Sequence, residues 1–471
     1  MGAGLWPSAA GAQAGPKPSP EPAQAETASA ESPSSLPEWV PRLLGAQFTF
    51  IGQDLRRFHA AYSGRNSLRN DGDAEETDTY GMYFGSQLTV RWQFYFDVEM
   101  ARGAAVGHAT GLAGITNGDV IRQGSIELGQ APYVARTYLR YVRPLARGGG
   151  TAAADRDDRV ERVERVERVE RSMDHVPGRE PADRLEVKLG KFALTDDFDQ
   201  NRYANSTRNQ FMNWSLFNNT AWDYAADTRG YTNGIMAAWV HPRWALRAAV
   251  MQMPSFANGN VFDSQFPRAR GDNLELTLGP AGAAGTIVRL LAYDNHGRMG
   301  RYAAAVARAR ATGTVPAVVA DDKQGRGKVG FGLNLEQPLA DGGETGVFLR
   351  AGWNDGRNED FVFTEVDRHL SFGAQVSGSR WRRQDDRLGV AAVFDGISRD
   401  HRDYLAAGGL GFLLGDGRLR YGYEEVAELY YRAQLGKWIQ AGPDVQHIRN
   451  PGYNRDRGPV TVFGLRVNLR Y

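Results

Sequence analysis

The chain has 471 residues, with 56 basic against 55 acidic side chains and no cysteine. So even a balance supplies no basic field for nucleic acid, and the absence of thiols removes disulfides, thiolate metal sites and cysteine nucleophiles. No run of about 18 apolar residues occurs, so no helix is expected to cross a membrane. A membrane barrel passes that test, because its lipid-facing residues alternate with lumen-facing ones.

At the N-terminus, residues 1–14 end in Ala12-Gln13-Ala14 but lack a basic segment and a full apolar core. They read as the remnant of a signal peptide. Residues 15–43, rich in Pro, Ala and Glu, are too poor in apolar bulk to offset ordering entropy and are expected to be a disordered lead. From 44 to 471 alternating segments recur, and the chain reads as one transmembrane β-barrel domain.

In the first of these, 79–102, Leu88, Val90, Trp92, Phe94, Phe96, Val98 and Met100 alternate with Thr89, Arg91, Gln93, Tyr95, Asp97 and Glu99. Strict period two over that length suits a tilted membrane strand better than a soluble edge strand. Further strands are expected at 133–143, 184–192, 232–240, 244–252, 272–278, 286–294, 328–336, 345–353, 369–378, 388–395, 408–414, 418–424, 427–435, 439–448 and 461–471, sixteen in all. Gln47 to Gln53 also alternates and leaves eighteen open. Short connections such as His241-Pro242-Arg243, Pro338 to Gly343 and Gly415-Asp416-Gly417 alternate with long polar ones such as 254–271, 295–327, 354–368 and 449–459. That is the rhythm of periplasmic turns and extracellular loops. The low-complexity insertion at 148–181 contains Arg159 to Arg171, RVERVERVERVER, whose three-residue repeat fits neither a strand nor a helical stripe. It is expected to be a solvated connection on the periplasmic side.

In the last strand Phe463, Leu465, Val467, Leu469 and Tyr471 share one face, opposite Arg466, Asn468 and Arg470. Because Arg on the lipid face costs about 2–4 kcal/mol at the midplane, the strand charges Arg91, Asp97, Glu99, Arg140, Glu186, Arg247, Arg350, Arg420, Glu424, Glu428, Arg432 and Arg466, with Gln434, are assigned to a wet lumen. The eight His residues form no HxxxH or HxxE pair, which leaves a hydrolase without support. Asp196-Asp197-Asp199 and Asn70-Asp71-Asp73 offer hard oxygens without EF-hand spacing, and are weak calcium candidates. A lumen of Arg, Glu, Tyr and Trp suits sugar hydroxyls and sugar C–H faces, and suits an ion-conducting pore equally well.

Two stretches resemble the carbohydrate-selective porins of the OprB family. Leu189 to Tyr231 carries LGKF, a turn rich in Asp, QFMNW and AWDYAADTRGY, and Glu424 to Tyr471 carries PDVQHIRNPG ahead of the closing strand. The resemblance implies a sixteen-stranded barrel in the outer membrane of a Gram-negative bacterium, without cofactor or catalysis, passing small carbohydrates by diffusion. It implies an inward-folded constriction loop, placed at 194–231, where Arg202, Arg208, Asn209, Asn213, Trp214, Trp222, Asp223 and Arg229 become candidates for lining the channel. It also implies that the barrel-assembly machinery reads the terminal strand through Phe463, Leu465, Val467, Leu469 and Tyr471. A monomer and a homotrimer both fit. The alternatives are a general or anion-preferring porin, a barrel enzyme, and a structural or adhesive barrel. The chain departs from the pattern at Ala225-Ala226, at its terminal Tyr471 and in the charged repeat, which is not expected to obstruct a pore.

Overall fold

A computed structural model describes residues 37–119, 128–145, 166–279 and 285–471. The signal-peptide remnant, most of the N-terminal lead and the first part of the charged insertion lie outside the described residues. Sixteen antiparallel strands close into a barrel. They are β1 (Arg42–Leu55), β2 (Asp73–Gln87), β3 (Trp92–Gly103) and β4 (Tyr133–Pro144), followed after a small hairpin by β7 (Arg184–Phe192), β8 (Thr232–His241), β9 (Trp244–Gln252) and β10 (Arg270–Leu278). The circuit continues through β11 (Ile287–Met299), β12 (Lys323–Ala340), β13 (Thr345–Asn354), β14 (Arg368–Ser377), β15 (Arg387–Gly396), β16 (Glu424–Leu435), β17 (Ile439–Arg449) and β18 (Val460–Arg470). The hairpin is β5 (Val166–Val169) with β6 (Gly178–Pro181). β1 pairs with β18, Gln47 opposite Arg470 through Leu55 opposite Val462, so no edge strand remains.

Period-two patterning sorts the faces as expected. In β18 Phe463, Leu465 and Leu469 point outward while Arg466 and Asn468 are buried inside. Aromatic pairs such as Trp239 with Trp244 and Trp438 with Tyr471 gather at the turn end, where a membrane interface is expected. Both ends of the barrel chain and the short turns share this periplasmic end. The long connections share the other, except the β4–β7 connection, which carries the hairpin and lies at the periplasmic end.

Four expectations are corrected. The 79–102 segment is two strands, because Leu88 N and Thr89 N both donate to Trp92 O at 2.8 and 3.2 Å and close a turn. Its alternation runs on through that turn by sequence coincidence, leaving Val90 97% exposed. Residues 408–414 and 418–424 are not strands. They belong to the long 397–423 connection, where Leu413 and Leu414 pack on Tyr404 and Tyr453 rather than on lipid. Gly415-Asp416-Gly417 is therefore on the extracellular side, and Asp416 accepts from Asn454 Nδ2 at 2.8 Å. Third, Gln47 to Gln53 lies within β1, which begins at Arg42, inside the stretch read as disordered lead. Two missed strands offset two false ones, and the count of sixteen stands.

The fourth correction concerns the charged insertion. Val166–Val169, part of the repeat, is a strand paired with Gly178–Pro181. The hairpin's return limb tucks into the barrel mouth, where Glu180 accepts from Arg140 Nη2 at 2.9 Å and Val176 N donates to Tyr95 Oη at 3.2 Å. Glu and Arg at every third residue place charges on both faces of a strand, and the hairpin uses them: Glu167 lies 3.7 Å from Arg184.

Candidate pore constriction

The β7–β8 connection, residues 193–231, turns inward after Phe192 and runs through the barrel interior with most of its side chains buried. Backbone amides taken out of water need partners. Inward side chains of the strands supply them. Asp199 N donates to Glu275 Oε2 at 2.7 Å, and Arg202 N to Glu336 Oε2 at 2.8 Å. Arg350 donates from Nε to Asp199 Oδ1 at 3.1 Å and from Nη2 to its carbonyl at 3.0 Å, beside Asn334 Nδ2 at 2.6 Å from the same carboxylate. Further along, Glu428 accepts from Met212 N and Asn213 N at 2.5 and 3.0 Å, and Gln446 accepts from Asn213 Nδ2 at 3.0 Å. Arg466 Nη1 donates to the carbonyls of Thr207 and Gln210, both at 2.6 Å, and Arg432 Nη1 to that of Asn209 at 3.4 Å.

The loop's short α-helix, α1 (Trp214–Phe217), is capped by Asn213 Oδ1 accepting from Ser215 N at 3.0 Å. Beyond it Trp222 Nε1 donates to Asn273 Oδ1 at 2.9 Å, and Asp223 accepts from Val362 N at 2.7 Å and Lys328 Nζ at 3.1 Å. The wall here has no room for a side chain: a Cβ on Gly352 would stand 2.0 Å from Asn219 Oδ1. Glycine permits that approach.

Leaning on β10 to β18, the loop leaves a cavity of about 340 Å³ against β1 to β4. The wall contributes Thr79, Tyr83, Glu99, Tyr133, Arg136 and Arg470, and the loop contributes Asp196, Arg208, Trp214, Arg229 and Tyr231. Arg208 Nε donates to Asp119 Oδ1 at 2.8 Å, and its Nη1 to Tyr83 Oη at 3.2 Å and Glu99 Oε1 at 3.4 Å. Burial alone would lower the Arg208 pKa, but Asp119, Tyr83 and Glu99 hold it charged, well above its ordinary value. Arg136 forks onto Asp196 at 2.7 and 2.6 Å. Burial pushes the Asp196 carboxyl up, yet Arg136 prevails and brings it below its usual value. Tyr231 Oη donates to Glu99 Oε2 at 2.5 Å, and the Arg229 guanidinium sits 4.4 Å above the Tyr133 ring. Trp214, 8% exposed, stacks on Phe363 with centroids 4.7 Å apart.

Of the candidates from sequence, Arg208, Trp214 and Arg229 of the loop border this cavity, with Glu99 of the lumen set and the calcium candidate Asp196. Asn213, Glu428, Arg432 and Arg466 tie the loop to the wall, and Arg202 and Asn209 do so through backbone groups. Trp222 and Asp223 are buried within the loop on its far side from the cavity, and Glu424 accepts from Ala113 N and Gly452 N at 3.0 and 2.7 Å, away from the cavity. Gln434 donates to Gly436 O at 2.9 Å, beside a periplasmic turn. Two assignments to the lumen wall are corrected: Arg91 lies in the exposed β2–β3 turn, and Arg420 lies in the 397–423 connection, paired with Asp456 at 3.0 Å. The three loop carboxylates do not gather round one ion. Asp196 faces Arg136, Asp197 faces Lys188 at 2.8 Å, and Asp199 faces Arg350. Asp71 and Asp73 pair with Arg69 at 3.3 and 3.4 Å.

Sequence reasoning did not single out Tyr83, Asp119, Tyr133, Arg136 or Tyr231 for this cavity. Tyr83 is legible by parity once 73–87 is a strand, and Arg136 is four residues from Arg140 on the same face of β4. Asp119 carries no such signal, since it lies in an irregular connection. Met173 and Asp174 of the charged insertion also border the cavity. The insertion was not expected to obstruct a pore; its Ser172–His175 turn reaches the lumen because the hairpin folds inward on Arg140 and Tyr95.

A closed sixteen-stranded barrel with an apolar outer face and a polar lumen narrowed by an inward loop defines an outer-membrane porin. Its fold is similar to that of Pseudomonas putida OprB in its high-pH structure, at 14% identity over 92% of this chain and 94% of that chain, with a TM-score of 0.64. It also aligns with the anion-selective porin from Comamonas acidovorans, at 8% identity over 92% and 100% of the two chains, with a TM-score of 0.46. The curated proteins include no match to the sequence. Residues 138–471 match the family model described as carbohydrate-selective porin, OprB family, and the chain belongs to that family. It is an outer-membrane porin for the passive passage of small carbohydrates.

Proposed function

We propose that the sugar passes between the constriction loop and the β1–β4 wall, in contact with Arg208, Arg229 and Trp214. One observation carries this reading: the cavity sets Arg136, Arg208, Arg229 and Arg470 against Glu99, Asp119, Asp174 and Asp196, four cations against four anions. A lining without net charge favours neither sign of ion. It offers donors and acceptors to replace sugar hydration, at a binding strength that still lets the solute leave. No catalytic step or cofactor enters this reading.

The test is planar-bilayer conductance with a series of mono- and oligosaccharides. Sugars are expected to interrupt the ion current. Arg208→Ala is expected to raise the half-blocking sugar concentration about tenfold, the value of one charge-assisted hydrogen bond. If ions pass freely and no sugar alters the current, a general porin stands instead. We propose further that the outward row Phe463, Leu465, Val467 and Leu469, ending in Tyr471, is the surface read by the barrel-assembly machinery.

A further inference from the structure

Among the described residues of the extracellular connections, one buried cluster lies outside the constriction cavity. Asp360 and Asp367 come from the β13–β14 connection, and His401 comes from α3 (Arg399–Ala406), in the β15–β16 connection; α2 (Tyr302–Thr312) lies beside them. Local structure fixes all three. Ser398 caps α3, its Oγ accepting from His401 N at 3.1 Å, and the imidazole stacks on Tyr302 with centroids 4.2 Å apart. Tyr302 Oη accepts from Asp360 N at 3.1 Å, and Ser398 N donates to Asp367 Oδ2 at 2.7 Å.

What this framework holds in place is unsatisfied. The side chains of His401, Asp360 and Asp367 are 0 to 1% exposed, yet neither ring nitrogen of His401 has a hydrogen-bond partner, nor has Asp360 Oδ2 or Asp367 Oδ1. His401 Nδ1 lies 3.4 Å from Asp360 Oδ2 and 3.5 Å from Asp367 Oδ2. An imidazolium in a dry interior would donate from both nitrogens; this ring donates from neither. The spacing matches something else. Ligands held about 2.1 Å from a tetrahedral ion stand about 3.4 Å apart. The cluster also connects to the constriction loop, since Lys328 Nζ pairs with Asp360 and lies 3.1 Å from Asp223 Oδ2.

We infer that Asp360, Asp367 and His401 bind a divalent transition-metal ion, Zn²⁺ or Mn²⁺. One imidazole nitrogen with two carboxylates suits these ions, whereas Ca²⁺ takes six to eight oxygens. Full burial makes the site structural. It joins the β13–β14 connection to α3, and through the Asp360–Lys328–Asp223 chain it steadies the constriction loop from behind.

The test uses the full-length barrel, extracted from outer membranes without chelator. Elemental analysis is expected to find close to one equivalent of zinc or manganese per chain. Stripping with chelator is expected to lower the unfolding temperature and readdition of Zn²⁺ to restore it, with no response in His401→Ala or Asp367→Asn. Cobalt added to stripped wild type is expected to give a visible absorption band that Zn²⁺ abolishes, a readout that does not depend on a variant folding. Metal far below one equivalent together with an unfolding temperature that ignores Zn²⁺, Mn²⁺ and Co²⁺ would overturn the inference and leave a plain His–Asp ion pair. A Zn²⁺ response kept in full by folded His401→Ala would overturn it too.

Discussion

At the scale of the residue, the lumen is built from charges that need one another. Arg350 and Asp199 have 0 and 4% of their side chains exposed and meet at 3.1 Å, so removing either leaves the other charged and dry. Arg350→Ala is expected to cost about 3–5 kcal/mol of unfolding free energy. A loss below about 1 kcal/mol, as for an exposed pair, would contradict that account. The Asp196–Arg136 pair adds a pH dependence of known sign. Its folded pKa lies below the ordinary 3.8, so its contribution is complete above that value and lost as pH falls through the lower folded one. The stability gap between wild type and Asp196→Asn should hold steady above pH about 4 and shrink toward zero in acid. A gap that persists unchanged through the acid range would show that the carboxylate charge is not what the loop uses.

At the scale of the element, faces were legible and boundaries were not. Strict alternation placed Glu99, Arg140, Arg350 and Glu428 inside, because a wrong register would put a charge into lipid. The same rule failed where it had no membrane to answer to. Leu413 and Leu414 are as apolar as strand residues, but they serve the core of an extracellular connection. Of the constriction site, the loop and four of its cavity residues, Glu99, Arg208, Trp214 and Arg229, were legible. Asp119 and Asp174 were not, since nothing local records that two distant connections enter one lumen. The β5–β6 hairpin yields a prediction of its own. With Met173 and Asp174 at the cavity, replacing residues 166–181 by a short flexible linker is expected to raise single-channel conductance. Unchanged conductance would mean that the hairpin tip stands beside the solute path rather than in it.

At the scale of the whole molecule, closure of β1 on β18 joins the two ends of the barrel chain. The final carbonyl takes part in it: Ala46 N donates to Tyr471 O at 3.3 Å and Tyr471 N to Ala46 O at 2.9 Å. Deleting Tyr471 is expected to reduce the barrel recovered from outer membranes in its compact form, the one whose gel migration changes on boiling. Recovery at the wild-type level would argue against recognition through this residue. The sequence by itself determined the barrel and its inward polar face, because lipid forbids unpaired backbone groups and exposed charge, and period two obeys both constraints; which segments make up the sixteen strands was settled only by the structure. Only the tertiary structure decided which lumen charges face the solute and which hold the loop. It alone paired Val166–Val169 of the charged repeat into a hairpin whose turn reaches the pore and brought Asp360, Asp367 and His401 together. Those outcomes depend on contacts between segments far apart in the chain, and no local periodicity encodes such contacts.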